Sequence, residues 1–281
     1  NANLFQLPAG PVGMAAVVQA GNQFWDTPVD PRVSGTGFFG INGTSGQGKR
    51  ENWAAGVEFS VPVFSKLNAN LSARYDRYRN VGGGSDAKPT YKLGLEFRPV
   101  DTLLLRGNYG TAFRAADMGY TFTGSNGFFT TQTDFYKCEI DPANCAARYT
   151  GLSIEGLQTG NPNLTSSNAK SFGYGFVWSP SRKFDLHADY YNVYLSDKVV
   201  PQSTTRILFE ENECRQGRLE AGSQTCIDAL AAVTRGPVNA GSPLLSETLN
   251  KITVKPINIA EERVSGITAG GNFRSEGRYG R

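Results

Sequence analysis

The feature that most constrains this chain is a pair of alternating segments within residues 168–200. Large apolar side chains, most of them aromatic, occupy every second position, and small or polar residues lie between them. A β-strand directs alternate side chains to opposite faces, so each segment has one apolar and one polar face. The pattern predicts two strands joined by a turn at residues 179–182. The apolar column is Phe172, Tyr174, Phe176, Trp178, Phe184, Leu186, Ala188 and Tyr190.

The same alternation recurs along the chain and predicts about eight antiparallel strands. The chain also has 33 glycines, which suit turns and barrel interiors better than helices. The fold class is therefore all-β, either a water-soluble sandwich or a membrane barrel. Besides the opening pair, the predicted strands cover residues 11–25, 51–64, 67–75, 91–97, 103–113 and 251–273.

The connections between these strands differ in length in a regular way. Every second connection is a short turn, and the others are longer, with large loops near residues 26–50, 115–167 and 201–248. Alternate connections of an up-and-down antiparallel sheet lie at the same end. Outer-membrane barrels have this arrangement, with short periplasmic turns and long extracellular loops. The asymmetry favours part of a transmembrane barrel over a sandwich. Within the last large loop, residues 225–235 predict a short helix.

Aromatic side chains recur near the predicted strand ends, as the interfacial girdles of a membrane barrel require. The apolar columns would then face outer-membrane lipid, and the polar faces would line a wet lumen. Two local irregularities are also expected. Pro256 predicts a bulge or an edge position, and a change of apolar phase at Tyr190–Tyr191 predicts a β-bulge. The girdle candidates are Trp53, Phe64, Tyr91, Phe97, Trp178 and Phe184.

Composition narrows the possible partners. The net charge of +3 is too small to indicate a nucleic-acid partner. No window contains the ~18 consecutive apolar residues of a membrane-spanning helix.

The four cysteines form two local pairs, Cys138 with Cys145 and Cys214 with Cys226, and neither has the close spacing of a zinc knuckle. We expect two loop disulfides made in an oxidising compartment, with free thiols as the alternative.

Three motifs suggest enzymes or cofactors but lack the context these need. Residues 35–40 match a dinucleotide fingerprint and residues 43–49 the spacing of a phosphate-binding loop, yet no helix is predicted after either. His187, the single histidine, has neither a nucleophile elbow nor further metal ligands near it. We therefore expect no cofactor, no metal site and no catalytic constellation, and an enzyme is the least favoured class.

Several stretches together resemble TonB-dependent outer-membrane receptors. They are LLLRGNYGTAFRAADM at 103–118, GNPNL at 160–164 and SFGYGFVWSPSRKFDLHADYYNVYLSDKV at 171–199. LFQLPAG at 4–10 and INIAEERVSGI at 257–267 add weaker matches in the family's order. Two positions depart from the family pattern: Ala116 replaces a usual proline, and Ser166–Ser167 replace a usual proline–glutamate pair.

The resemblance implies a fold, a location and an activity. The fold would be part of a 22-stranded barrel in the bacterial outer membrane, from its C-terminal half, without the plug domain or TonB box. The activity would be energy-coupled uptake of a scarce solute, such as a siderophore or a glycan. The implied partners are the receptor's own plug, the TonB complex and a small-molecule or oligosaccharide ligand. The alternatives are a passive porin or adhesin-type barrel and a secreted carbohydrate-binding sandwich.

Two groups of residues are candidates for substrate binding. Arg74, Arg106 and Arg114 lie on predicted polar faces, where their guanidinium forks suit carboxylates of a plug or of an anionic ligand. Phe128, Phe129 and Tyr136 lie in the aromatic stretch beside Cys138, where they would either contact ligand or pack the loop.

Overall fold

The computed structural model of the chain describes residues 2–34, 44–239, 241 and 246–275. The elements follow in the order β1 (Ala2–Leu7), β2 (Gly10–Thr27), α1 (Pro31–Ser34), β3 (Gly46–Phe64), β4 (Leu67–Asn80), β5 (Ser85–Val100), β6 (Leu103–Arg114), α2 (Met118–Phe122), β7 (Asn126–Gln132), α3 (Phe135–Ile140), a 3-10 turn (Pro142–Asn144), a π-helical turn (Cys145–Tyr149), β8 (Leu152–Gln158), β9 (Ser167–Ser181), β10 (Phe184–Pro201), α4 (Thr204–Arg215), α5 (Gln224–Ala232), β11 (Val233–Arg235), β12 (Leu249–Val254) and β13 (Pro256–Phe273).

Nine of the strands form one antiparallel sheet in the order β1-β2-β3-β4-β5-β6-β9-β10-β13. We call this sheet the wall. Within the described residues its two edge strands, β1 and β13, each pair on one side only. The predicted all-β architecture is confirmed, with one more wall strand than expected. The additional strand is β1, whose six residues are too few to show a clear alternation.

The connection lengths confirm the predicted asymmetry. Short turns join β3 to β4, β5 to β6 and β9 to β10, while the long connections lie at the opposite end of the wall.

The predicted bounds need correction at several connections. The segment 26–50 is strand up to Thr27 and again from Gly46. The connection between the strands predicted at 67–75 and 91–97 contains only residues 81–84. The turn predicted at 179–182 lies at residues 182–183. Residues 35–43, which contain the dinucleotide-like motif, lie outside the described residues.

One face of the wall is apolar and uncovered. Its side chains keep large exposed fractions, for example 84% for Val18 and 61% for Tyr174. Aromatic rings from different wall strands lie together at two levels of this face. Phe64 lies against Phe97 near the short turns, and Tyr91 lies against Tyr109 nearer the long loops. The seven residues from Tyr91 to Phe97 span about 20 Å of strand, comparable with the roughly 25 Å apolar band of outer-membrane barrels.

The bulge predicted at Tyr190–Tyr191 is wrong. β10 keeps regular pairing there with both β9 and β13. Tyr190 stays on the apolar face, with its ring 5.2 Å from that of Tyr174, and Tyr191 lies on the polar face over Gly266. Beyond this level the apolar side chains of β10 lie on the opposite face. The strand has 18 residues, whereas roughly ten residues are enough to cross a bilayer, so its outer part lies beyond the lipid. The register shifts of β10 lie instead near Phe184 and between Leu195 and Val199.

The two longest connections, predicted as irregular, fold together into a second unit. Its sheet has the order β11-β12-β8-β7, in which β12 and β8 run parallel. Helices α3, α4 and α5 pack with it, and α5 confirms the helix predicted at 225–235. We call this unit the loop module. Its buried core consists of Ile154, Ile207, Leu208, Val233, Leu249, Ile252 and Val254.

The last predicted strand, 251–273, is in fact two strands belonging to different sheets. β12 ends at Val254 in the loop module, and β13 begins at Pro256 in the wall. Proline has no N–H to donate to a ladder, so it is tolerated as the first residue of a strand. A single residue, Lys255, therefore separates the module from the wall at this point.

Candidate functional site

Arg106, one of the predicted binding residues, forms an ion pair across three wall strands. Arg106 on β6, Gly175 on β9 and Asp189 on β10 lie in one row. Nε and Nη2 of Arg106 donate to the two carboxylate oxygens of Asp189, at 2.8 and 2.5 Å. A Cβ at position 175 would overlap the Asp189 carboxylate. The glycine therefore allows the ion pair to pass over the middle strand.

Arg74 is engaged in a similar way. Its Nε donates to Asp76 Oδ2 at 2.9 Å, and its Nη2 reaches Gln19 Oε1 at 3.1 Å, two strands away. Ala54 lies between these strands and is fully buried. The forks of Arg74 and Arg106 thus bind partners inside the wall. A role of these two arginines in substrate binding stays a prediction, and it would require the ion pairs to open.

Arg114 has a different environment, at the long-loop end of the wall. It lines a cavity of about 610 Å³ between the ends of β6 and β10, helix α2 and residues 158–160. Arg114 is exposed, and within the described residues it forms no ion pair. We call this the mouth cavity.

The other charged groups of the mouth cavity already have partners. Lys198 Nζ lies 2.5 Å from Glu262 Oε2. Asp117 caps helix α2, because its Oδ1 accepts a hydrogen bond from Gly119 N at 2.8 Å. Among the described residues, Arg114 is the cation of the cavity that has no ion-pair partner, and its guanidinium suits an anionic ligand. The alternation within β6 indicated Arg114, whereas Lys198 and Asp117 carried no sequence signal of their own.

The Asn-Pro-Asn-Leu stretch beside the mouth cavity is held by side-chain hydrogen bonds. Asn161 Nδ2 donates to Pro256 O at 2.8 Å, and Asn161 Oδ1 accepts from Asn163 N at 3.0 Å. Asn258 Oδ1 accepts from Thr165 N, and Asn258 Nδ2 donates to Thr165 O. The motif thus joins the start of β13 to the connection between β8 and β9.

The loop module contains both predicted disulfides. Cys138 is bonded to Cys145, which ties α3 to the π-helical turn. Cys214 is bonded to Cys226, which ties α4 to α5. The two bonds therefore fix helices that flank the module's small sheet.

A buried ion network lies beside these helices. The Arg235 guanidinium donates to both carboxylate oxygens of Asp134, at 2.7 and 2.8 Å, and to both of Glu211. Asp134 and Glu211 are almost fully buried. Burial lowers the pKa of Arg235, but its hydrogen bonds to Glu211 and Asp134 outweigh that effect and raise the pKa overall. The Arg235 guanidinium therefore stays charged at physiological pH.

The three predicted aromatic binding residues have different surroundings. Tyr136 packs under the ion network, with Arg215 and Arg235 4.9 and 5.0 Å from its ring centre. Phe128 packs against the module core and lies over Gly156. Phe129 points away from the core and is 66% exposed. Their role in substrate binding stays a prediction, and Phe129 is the one whose side chain is available at the surface.

A second charged cluster lies on the outside of the module. Arg218 donates to Glu139 and also to Glu213, with an Nη2–Oε1 distance of 2.7 Å for the latter pair. The hydrogen bonds from Arg218 and Asn212 lower the pKa of Glu139 to about 2. Arg218 likewise lowers the pKa of Glu213.

The residues considered for other chemistry are not assembled into a site. His187 lies on the polar face of the wall over Gly270. Among the described residues no group of three or more His, Cys, Asp or Glu side chains could hold a metal ion. None of the helices in the described ranges is long and apolar enough to cross a membrane.

Comparison with known families decides the classification. The family model described as "TonB dependent receptor-like, beta-barrel" matches residues 1–280. The chain belongs to the TonB-dependent receptor family. Receptors of this family are proteins of the bacterial outer membrane, so the apolar face of the wall is its lipid-facing side. The sandwich alternative is thereby excluded.

Solved TonB-dependent receptors share the fold at low sequence identity. The siderophore receptor PirA from Acinetobacter baumannii matches with a TM-score of 0.60 and 15% identity, over 96% of this chain and 32% of that receptor. The ferric enterobactin receptor PfeA from Pseudomonas aeruginosa gives 0.58 and 13%, over 92% and 30%. PirA from Pseudomonas aeruginosa gives 0.54 and 13%, over 95% and 37%. The chain thus spans about a third of the solved receptors it matches. Sequence comparison with curated proteins finds no match.

Proposed function

We propose that the receptor containing this chain imports a scarce solute across the outer membrane, with energy supplied through TonB. The observation that carries this proposal is the family match over almost the whole chain. The one-sided distribution of long connections supports it, because recognition residues concentrate on loops that a rigid scaffold positions. We further propose a plug domain and the TonB complex as partners, and a transport role rather than an enzymatic one.

We propose the mouth cavity and the loop module as the parts of this chain that recognise the solute. The unpaired Arg114 guanidinium favours an anionic ligand. Among the solved relatives are siderophore receptors, so a ferric siderophore is the first class of solute to test. Phe129 offers an exposed aromatic ring on the module.

The test is ligand binding and uptake by the complete receptor, first with a panel of ferric siderophores and then with glycans. With the solute that binds, Arg114→Gln should weaken affinity by about ten-fold or more, because a charge-assisted hydrogen bond is lost. Arg182→Gln is the matched control, since Arg182 is an exposed arginine in the short turn between β9 and β10, outside both the cavity and the loop module. Equal affinity of wild type and Arg114→Gln would remove the mouth cavity from the binding site.

Energy coupling separates this proposal from a passive porin. Uptake should stop in cells that lack TonB, while binding to the receptor on the same cells should persist. Uptake that continues at an unchanged rate without TonB would favour the passive channel instead.

A further inference from the structure

A second, smaller cavity lies on the other side of the segment that follows Arg114. It has a volume of about 170 Å³ and lies between the ends of β3, β4 and β5 and residues 162–166. It shares only Ala115 and Ala116 with the mouth cavity. Neither the family's uptake activity nor the mouth cavity accounts for its residues.

Arg50 brings a buried positive charge to this cavity. Its exposed fraction is 5%, its Nε donates to Asn80 Oδ1 at 2.9 Å, and its guanidinium lies 6.0 Å from the Tyr78 ring centre. Within the described residues Arg50 forms no ion pair, and its terminal nitrogens form no hydrogen bond. Residues 35–43, which precede β3, contain no Asp or Glu. Buried charges in proteins are normally paired. Asp86 also lines the cavity, but among the described residues its carboxylate accepts from Ser166 N and forms no ion pair with Arg50.

Ser166 supplies a second unsatisfied group at the same cavity. Its exposed fraction is 2%, and its hydroxyl has no hydrogen-bond partner among the described residues. The backbone N–H of Ser166 is already used, since it donates to Asp86 Oδ2 at 2.8 Å. A buried hydroxyl without a partner costs about 1–3 kcal/mol. Ser166 is also one of the two positions at which the sequence departs from the family pattern.

The cavity is held in shape by its surroundings. The hydrogen bonds of Asn161 and Asn258 fix the backbone of residues 161–165. On the opposite side, the turn at residues 81–84 packs against Pro162. A site whose groups are already positioned loses little entropy when it binds a ligand.

We infer that this cavity binds a single carboxylate group, held by the terminal nitrogens of Arg50 and the hydroxyl of Ser166. A carboxylate matches the planar fork of arginine and would give Arg50 an ion-pair partner in direct contact. The volume suits a group of a few heavy atoms, since one water occupies about 30 Å³ of liquid. Asp86 in the cavity wall disfavours a doubly charged phosphate or sulfate. The carboxylate belongs either to a small free acid or to a side chain elsewhere in the complete receptor.

The test uses the complete receptor in detergent with sodium acetate as the probe. The melting temperature is measured against acetate concentration at constant ionic strength with sodium chloride, and a crystal structure is determined in acetate. Arg50→Gln and Ser166→Ala are the test variants. Arg79→Gln is the matched control, because Arg79 is an exposed arginine at the same end of the neighbouring strand β4.

Two results would support the inference. If the carboxylate is a free acid, acetate raises the melting temperature and appears in the cavity, and Arg50→Gln lowers its affinity by about ten-fold or more. If the receptor supplies the carboxylate, acetate has no effect, an Asp or Glu side chain occupies the cavity, and Arg50→Gln lowers the melting temperature while Arg79→Gln does not. Water alone in the cavity, or an equal rise of the melting temperature with acetate in wild type and Arg50→Gln, would overturn it.

Discussion

The wall and the loop module are parts of one chain that are stabilised in opposite ways. The wall leaves its apolar side chains exposed on one face and pairs its charges on the other. The loop module buries a core around Leu208 and Ile252, with two disulfides and a buried ion network beside it. The wall therefore depends on lipid to cover its apolar face, whereas the module carries the interactions of a small soluble domain. Damage to one part should leave the other largely intact.

The largest expected effect is in the module. Arg235→Leu leaves the carboxylates of Asp134 and Glu211 buried without their shared partner, which should cost about 3–5 kcal/mol. We expect rapid proteolysis of the module in the complete receptor, while the wall keeps the heat-dependent gel migration of a folded barrel.

Arg206→Gln is the control for that experiment. Arg206 pairs with Glu210 at the surface and its side chain is 71% exposed, so the change should cost less than about 1 kcal/mol. If the wall melted together with the module in Arg235→Leu, the two parts would be one cooperative unit.

The second-largest effect is expected in the stability of the wall. Gly175→Ala puts a Cβ against the Asp189 carboxylate and the Ala188 carbonyl, so the Arg106–Asp189 pair must shift. We expect a loss of about 1–3 kcal/mol in wall stability, measured by unfolding in urea from lipid vesicles, with an unchanged rate of module proteolysis.

Gly94→Ala is the matched substitution in the same sheet. A Cβ at position 94 meets nothing closer than Asn70 Cβ at 3.7 Å, which is an ordinary contact. Similar losses for both variants would mean that glycine in these strands matters for reasons other than the ion pair.

The smallest effect is a pH dependence confined to the module. The pKa of Glu139 is about 2 in the folded state and 4.5 for the unpaired group. A lowered pKa stabilises the folded state above the higher value, and this contribution disappears as the pH falls from about 4.5 towards 2. We expect Arg218→Gln to reduce module stability at pH 7 and to make little difference at pH 2, as measured by proteolysis with an acid-stable protease. An equal reduction at both pH values would contradict the assignment.

The wall could be predicted from the sequence because each of its faces has one environment along most of a strand. The alternation in residues 51–75 and 171–190 follows directly from that geometry. The prediction was wrong at Tyr190–Tyr191, where the environment of both faces changes while the register continues. A shift of apolar phase therefore indicates a boundary between environments as readily as a bulge.

The loop module could not be predicted beyond its disulfides and helix α5. Its strands are short, and its central pairing joins Glu155 to Lys251, far apart in the sequence. The candidate site could be predicted from the sequence only in part, for the same reason. Alternation indicated the faces of Arg74, Arg106 and Arg114, but only the three-dimensional pairing distinguishes the engaged arginines from the free one.

The parallel pairing of β8 with β12 has a consequence for the order of folding. The segment between these strands contains the whole β9–β10 hairpin of the wall. Contacts between residues distant in sequence form slowly, because a long stretch of chain must be ordered first. We therefore expect the hairpin to form before the module closes, so that protection of the module's amides from hydrogen exchange marks a late step of assembly.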